Sequence, residues 1–301
     1  MLNQTNLEKI SLSNYNREIS TTRPLSPEQV AQYHKNGFVI ISSFFDIEEI
    51  KPLQQAFEKA PDIISENETH FLDSQGYSNQ IAHWAELGDS LLGCIPRLAR
   101  IVDGVEVLFG GQECYHWYSK IVKKRPYSQG SIEWHQDYGS WYYDTFLFPD
   151  IVNVFLAVNE HSIENGCVKV IKKSHLVNRI DHLVRGEAIM ADPIRIEKIL
   201  QKLDCFNVEM KPGDVMFLHC NTIHCSNQNN TDNPRINLIS TYSAAANEPV
   251  DPPTECHRYK PLEKLPDSWL LEGKYNSVFD SQEFLDPEIR ETTIRGRKES
   301  N

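Results

Sequence analysis

The sequence predicts a mainly β protein, an antiparallel sandwich or barrel with helices at its N-terminal flank. Three observations carry that reading. From residue 113, short runs rich in β-branched and aromatic residues alternate with Gly, Pro and Asn turns, at 115–123, 131–137, 151–158, 166–171, 206–210, 214–219 and 235–243. Before residue 60 the pattern is helical instead. A length of 301 residues with 40% hydrophobic and 24% charged side chains suits one large domain with a full core.

Residues 1–24 are polar and read as a flexible N-terminal arm. Ser26-Pro27-Glu28-Gln29 is a helix start: Ser as N-cap, Pro in the first turn, an acid beside it. That helix should end at Asn36-Gly37, before a short buried strand, Phe38-Val39-Ile40-Ile41. Asp46 opens a second helix that runs to about Lys59. The β core spans about 113–247, within one domain of residues 25–301. A charged, helix-leaning insertion at 176–204 interrupts it, either as a lid or as a surface excursion. Residues 248–301 hold many charges and prolines, and should wrap the surface and end in a basic tail, Arg295 to Lys298.

Lys plus Arg number 30 against 42 Asp plus Glu, a formal charge of −12. This excludes a general nucleic-acid or anionic-membrane binder, which needs a basic field. The expected partner is a small-molecule substrate, with oligomeric state left open. Seven cysteines without a CxxC pair argue against a disulfide scaffold or a zinc ribbon. No signal-peptide h-region and no eighteen-residue apolar stretch occur, so a cytoplasmic protein without a membrane span is expected.

The chemistry lies in Glu133-Trp134-His135-Gln136-Asp137. In an extended segment, residues i and i+2 share a face, so His135 and Asp137 converge. Alone, an HxD is no more than a strand-end polar pair. A second imidazole is offered by His224, in Leu218-His219-Cys220-Asn221-Thr222-Ile223-His224. Two imidazoles and one carboxylate on one face form the triad of non-haem Fe(II) oxygenases, with three metal positions left for a bidentate cosubstrate and O2. Ser226 follows two residues later, on the same side of its strand. The run NQNNTDNP is a turn by composition and returns the chain antiparallel, with Arg235 beside the triad. A guanidinium there suits the distal carboxylate of 2-oxoglutarate, held in a fork of two hydrogen bonds.

His219 is the rival distal ligand, but it fits neither the Ser226 nor the Arg235 spacing. Trp141 and Tyr138, with Tyr142 and Tyr143, follow the HxD; they are either core aromatics or, for Trp141 and Tyr138, lining of the substrate pocket. Gln136 should point away from the metal by strand alternation. Lys123 and Lys124 read as a surface pair or as a guide for an anionic substrate. Cys220 and Cys225 read as buried packing.

With these residues in place, the chain resembles the phytanoyl-CoA dioxygenase family of Fe(II)/2-oxoglutarate oxygenases. The matching segments are SPEQVAQYHKNGFVII, EWHQDYGSW, ENGCVKVIKKSH and KPGDVMFLHCNTIHCSNQNNTDNPR, spread over residues 26–247. The resemblance implies a double-stranded β-helix (jelly-roll, cupin-like) core with flanking α-helices. It implies His135, Asp137 and His224 as iron ligands, and Ser226 and Arg235 as partners of the 2-oxoglutarate distal carboxylate. Lys120 and Phe155 fall where further cosubstrate contacts lie. Two departures stand out: Lys173 takes the place of a Gly before Ser-His, and Cys225 that of a Gly after the distal His. Asp137 is present, whereas the related halogenases lack that carboxylate, so oxidation rather than chlorination is implied.

The expected activity is therefore a 2-oxoglutarate-dependent hydroxylation of an unactivated C–H bond in a small polar metabolite or natural product. Succinate and CO2 are the coproducts. An acyl-CoA hydroxylase of the same family is one alternative, although no basic patch for CoA phosphates stands out. A non-oxygenase cupin-like metal protein is another, and a catalytically dead binding module a third; Arg235 and a complete ligand set argue against these two. An acidic chain suits a cationic substrate of specialised metabolism such as a guanidino alkaloid, for example in late hydroxylation of a cylindrospermopsin-type toxin.

Overall fold

Ser26 begins the first helix as its neighbours require. Its Oγ accepts from the Gln29 backbone N–H at 3.3 Å, and its own N–H donates to Gln29 Oε1 at 2.7 Å. The structure, a computed structural model, describes residues 25–285 except 186, 253 and 254. The expected arm at 1–24 and tail at 295–298 lie outside the described residues. The helices are α1 (Pro27–Asn36), α2 (Ile47–Lys59), α3 (Leu91–Cys94), α4 (Ala99–Leu108), α5 (Asp137–Trp141) and α6 (Pro193–Leu200). The strands up to the first motif are β1 (Phe38–Ile41), β2 (Glu68–Leu72), β3 (Ser78–Trp84), β4 (Cys114–Lys124) and β5 (Ile132–His135). They continue with β6 (Ile151–Ala157), β7 (Val168–Ile171), β8 (His182–Arg185), β9 (Ala188–Ala191), β10 (Cys205–Val208), β11 (Val215–His219), β12 (His224–Ser226) and β13 (Arg235–Ala244).

One sheet has the order β1-β11-β6-β13-β4-β3-β2, and the facing sheet β10-β7-β12-β5. From β4 onward the chain crosses between them almost strand by strand: β4, β6, β11 and β13 in the first sheet, β5, β7, β10 and β12 in the second. Every pairing is antiparallel. This interleaving is the double-stranded β-helix, and the fold is mainly β with flanking helices. Alternation along the strands makes two cores. Val152, Val154, Leu156, Phe217 and Leu238 face α2, α3 and α4, together with Leu265, Leu270 and Phe279 of the C-terminal segment. Phe155, Val170, Met216 and Ile239 fill the space between the sheets. Each such buried side chain contributes about 1.5–3 kcal/mol.

The structure departs from expectation in four places. The first sheet extends beyond the expected core through β2 and β3, whose segments, ETHFL and SNQIAHW, carry too many polar residues to read as strands. Second, Lys123 and Lys124 are not a surface pair. Lys123 Nζ is buried against Glu68 Oε1 of β2 at 2.6 Å, and Lys124 Nζ donates to the Gly130 carbonyl at 2.6 Å. Third, the 131–137 run stops being a strand at His135, and Asp137 is the first residue of α5. Fourth, residues 176–204 are only partly helical. A β8–β9 hairpin precedes α6, because HLVR and AIMA carry too little polar alternation for a surface helix. Among the described residues no helix is long and apolar enough to cross a membrane.

Two turns tie this frame to the site. Gly37 ends α1 at φ 86°, and a Cβ there would sit 2.5 Å from both His175 Nδ1 and Thr222 Oγ1. The Gly37 carbonyl accepts from Thr222 Oγ1 at 2.8 Å and so anchors the segment leading into β12. Lys173 adopts the left-handed conformation that a glycine would take without cost, φ 66° and ψ 5°.

Candidate metal centre

His135 ends β5 and His224 begins β12, and antiparallel pairing sets the two residues directly opposite each other. Their ring centroids are 4.1 Å apart. Asp137 joins them although it lies in a helix, because Gln136 remains extended (φ −111°, ψ 135°) and so preserves the i, i+2 relation. Asp137 Oδ1 lies 3.8 Å from His135 Nε2, and Oδ2 lies 3.6 Å from His224 Nε2. Among the described residues these three form the one His/Cys/Asp/Glu group with ligand atoms gathered for a metal, all within 4.8 Å.

The donor set fits a divalent ion. His135 Nδ1 donates to the Glu133 carbonyl at 2.8 Å, and His224 Nδ1 to the Thr222 carbonyl at 3.0 Å. A carbonyl only accepts, so each proton sits on Nδ1 and each Nε2 lone pair faces Asp137. Burial, then the neighbouring His224, pushes the His135 imidazole down to about 4, and burial lowers His224 as well. Burial pushes the Asp137 carboxyl up, but His224, Lys120 and His135 outweigh it and the value lies below the usual one. Two neutral imidazoles and a carboxylate are what such an ion needs. Asn153 Nδ2 donates to Asp137 Oδ2 at 2.7 Å, and Thr241 Oγ1 donates to Asn153 Oδ1 at 2.5 Å. Asn153 and Thr241 are cross-strand partners on β6 and β13, so the large sheet orients the carboxylate.

The triad opens on a cavity of about 250 Å3. Arg235, Asn237 and Ile239 line it from alternate positions of β13, with Ser226, Lys120 and Phe155 around them. Arg235 is 1% exposed. Its Nε and the Ser226 Oγ are buried atoms without a hydrogen-bond partner. Two unsatisfied donors aimed at one cavity beside a metal-type cluster form a cradle for an anion. Phe155 stands edge-on to His224, ring centroids 6.2 Å apart, and Lys120 Nζ lies 5.7 Å from the Tyr118 ring centroid.

The remaining candidates divide. Trp141 lines the cavity, its ring edge-on to Tyr118 at 6.1 Å. Tyr138 does not, although it packs in the same aromatic cluster as Trp141, Trp117 and Phe146; its hydroxyl donates to the Phe146 carbonyl at 3.1 Å. The reason is the helix: α5 turns successive side chains by about 100°, so Tyr138 leaves the face that Asp137 occupies. His219 Nδ1 accepts from the Asn221 N–H at 3.0 Å, outside the triad. Cys220 and Cys225 are buried thiols. Sequence reasoning missed Asn153 and Thr241, although an Asn inside the buried run IVNVFLA is a legible sign of a satisfied polar role. It also missed Glu187 and Ile189, which reach the cavity from the hairpin.

Residues 33–237 match the family model described as "Phytanoyl-CoA dioxygenase (PhyH)". The chain belongs to the phytanoyl-CoA dioxygenase family. An ectoine dioxygenase of Bordetella parapertussis is 23% identical over 245 residues, 76% of this chain and 78% of that protein. An L-proline trans-4-hydroxylase of Streptomyces griseoviridis is 23% identical over 256 residues, 78% of this chain and 92% of that protein. The structure of EctD from S. alaskensis with 2-oxoglutarate and 5-hydroxyectoine superposes with a TM-score of 0.66 at 22% identity, covering 83% of this chain and 91% of that one. The family chain is a 2-oxoglutarate-dependent dioxygenase, with iron and 2-oxoglutarate as its cofactors and O2 as oxidant.

Proposed function

We propose that the protein hydroxylates an unactivated C–H bond of a small polar metabolite, with succinate and CO2 as coproducts. The observation that carries this reading is the meeting, in one cavity, of the His135–Asp137–His224 cluster with the unpaired donors of Arg235 and Ser226. In it, His135, Asp137 and His224 hold the iron. Bound iron supplies the activation of O2. The Arg235 guanidinium and the Ser226 hydroxyl bind the distal carboxylate of 2-oxoglutarate, and Lys120 adds a cationic field beside the triad. Phe155 and Ile239 keep water from the cosubstrate, and Asn153 holds Asp137 in one orientation while the other components arrive.

The substrate carries a positive charge in this reading. Away from the cosubstrate, the cavity is lined by Trp117, Tyr118 and Trp141 together with the carboxylates of Asp144 and Glu187. Aromatic faces and carboxylates recognise ammonium, amidinium or guanidinium groups. The cationic side chains of the lining are Lys120 and Arg235, both given to the cosubstrate, which disfavours CoA thioesters. Free thiols at Cys94, Cys114, Cys167, Cys205, Cys220 and Cys225 suit a cytoplasmic setting.

Succinate release from 2-oxoglutarate with added Fe(II) tests the reaction. Absence of succinate with and without candidate substrates would refute it. A mass-spectrometric turnover screen over betaines, basic amino acids and guanidino compounds against neutral and anionic metabolites tests the substrate. Hydroxylation confined to the anionic members would refute the cationic class.

A further inference from the structure

Gln136 stands between two residues of the triad, and the insertion grips it. Its Nε2 donates to the carbonyls of Asn178 and Asn221, each at 2.8 Å, and its Oε1 accepts from the Ile180 N–H at 2.9 Å. Its backbone N–H donates to His182 Nε2 at 2.9 Å. His182, 5% exposed, begins β8. Its Nδ1 donates to the Ile180 carbonyl at 2.9 Å, which leaves Nε2 as the acceptor for Gln136. The fit is close on the far side too. A Cβ on Gly139 would lie 2.0–2.4 Å from three atoms of the His182 ring, so the first turn of α5 closes directly over the imidazole.

We propose that His182 is a positioning residue for the metal centre, acting through the His135–Gln136 peptide, from which the chain runs on to Asp137. The inference rests on the triad being the metal site. Gln136 is fully buried, and its N–H lies where the chain passes from β5 into α5, with neither a ladder nor a helix partner. The orientation of that peptide sets the angle between the two ligand side chains. His182 is the acceptor that fixes it. Without one, the peptide turns to find another partner and carries Asp137 with it. The same hairpin brings Glu187 and Ile189 to the cavity, and Glu187 Oε2 accepts from the Leu72 N–H at 2.8 Å, so the hairpin is held both at its start and at its turn. One hairpin thus touches both the metal turn and the space a substrate fills.

The test is a Mn(II) titration of the full chain, read as free Mn(II) by electron paramagnetic resonance, with thermal melts in parallel. His182→Leu keeps bulk and removes the acceptor. His182→Gln places its Oε1 near the position of Nε2. We expect the Leu variant to bind Mn(II) roughly 10–100-fold more weakly, as is typical when a group orienting a metal ligand is lost, and the Gln variant to stay within about threefold of wild type. A merely structural role lowers both melting temperatures without separating their Mn(II) affinities. Wild-type affinity in a folded Leu variant would overturn the proposal. Should that variant not fold, His182→Asn replaces it, since its amide is one methylene too short to reach Gln136; equal affinities of the Asn and Gln variants would overturn the proposal equally. If the wild-type chain itself binds no Mn(II), the metal assignment falls first, and the positioning role with it.

Discussion

Arg235→Ala is the sharpest perturbation of the site. Arg235 pairs in register with Lys124 across β13 and β4, so two buried basic side chains lie side by side. Burial lowers both: Arg235 to about 10, and Lys124, with Arg235 adding to the effect, well below its ordinary value. Lys124 Nζ is partly satisfied by the Gly130 carbonyl, but the Arg235 Nε has no acceptor. A bound dicarboxylate relieves that state. Truncating one partner of a buried, hydrogen-bonded charge pair costs about 2–5 kcal/mol. At about 1.4 kcal/mol per tenfold, the 2-oxoglutarate Kd should rise at least about thirty-fold. Ser226 and Lys120 remain in the cavity beside the carboxylate, so we expect the lower half of that range, about 30–300-fold. Arg235→Lys should recover only part, because an ammonium cannot make the fork. The linked readout is stability. At a hundred times its Kd, 2-oxoglutarate adds about 2.7 kcal/mol to the wild type, roughly 5 °C in Tm. The alanine variant should lose most of that shift at the same concentration. Calorimetric titration with Mn(II) present and thermal melts with and without 2-oxoglutarate measure both. An unchanged Kd together with an unchanged ligand-induced shift would remove Arg235 from the cosubstrate site.

Four further outcomes follow from the structure. His135→Ala or His224→Ala should abolish Fe(II) binding and turnover, since two remaining ligands cannot hold a weakly bound ion; full activity of either purified variant would refute the assignment. Trp141→Ala, or Glu187→Ala with Ile189→Ala at the hairpin, should lower the ratio of hydroxylated product to succinate while 2-oxoglutarate affinity holds; a constant ratio would place the substrate elsewhere. Burial pushes His116, His161 and His219 down to about 3, and His182 and His257 to about 4. The unfolded chain therefore protonates first, so this contribution to stability is complete above about pH 6.5 and is lost as the pH falls toward 4. At about 1.4 kcal/mol per histidine per unit, the urea midpoint should drop steeply between about pH 7.5 and 5.5, and equal midpoints would refute the burial. Lys173→Gly should stabilise by about 0.5–1 kcal/mol by relieving a left-handed lysine, and a lower Tm would show that its side chain matters more than its backbone.

What the sequence could say about this site depended on where each residue sits relative to local chain geometry. His135 and Asp137 were legible because one extended residue separates them, and an i, i+2 relation survives even when the second residue starts a helix. His224, Ser226 and Arg235 were legible because a turn-rich octet between two strands brings them back antiparallel. Tyr138 was offered for the pocket only because it follows the HxD closely, and nearness in sequence does not fix a face. It lies one residue past Asp137 in α5, a rotation of about 100°, and its hydroxyl turns to the Phe146 carbonyl instead. β2 and β3 were illegible for a different reason. Their buried polar residues look like loop until Lys123 supplies the partner that makes Glu68 tolerable inside, and that partner lies 55 positions along the chain.

The residues that orient the site share this property of distance. Asn153 has meaning only against Asp137 on one side and Thr241 on the other, a contact spanning three separate elements. His182 belongs to a segment that its charge-rich composition left open between a lid and a surface excursion, and neither reading singled out its one buried imidazole, which reaches the Gln136 N–H. Ligands are therefore readable from spacing, because a metal demands several donors within one local geometry. The groups that aim those ligands answer to no spacing rule. They need only one hydrogen bond each, and any buried strand or hairpin that passes close enough can supply it. In this chain both suppliers, β6 and the β8–β9 hairpin, lie between the two halves of the motif, so variation in the stretch from Ile151 to Ala191 should tune metal affinity without touching a ligand.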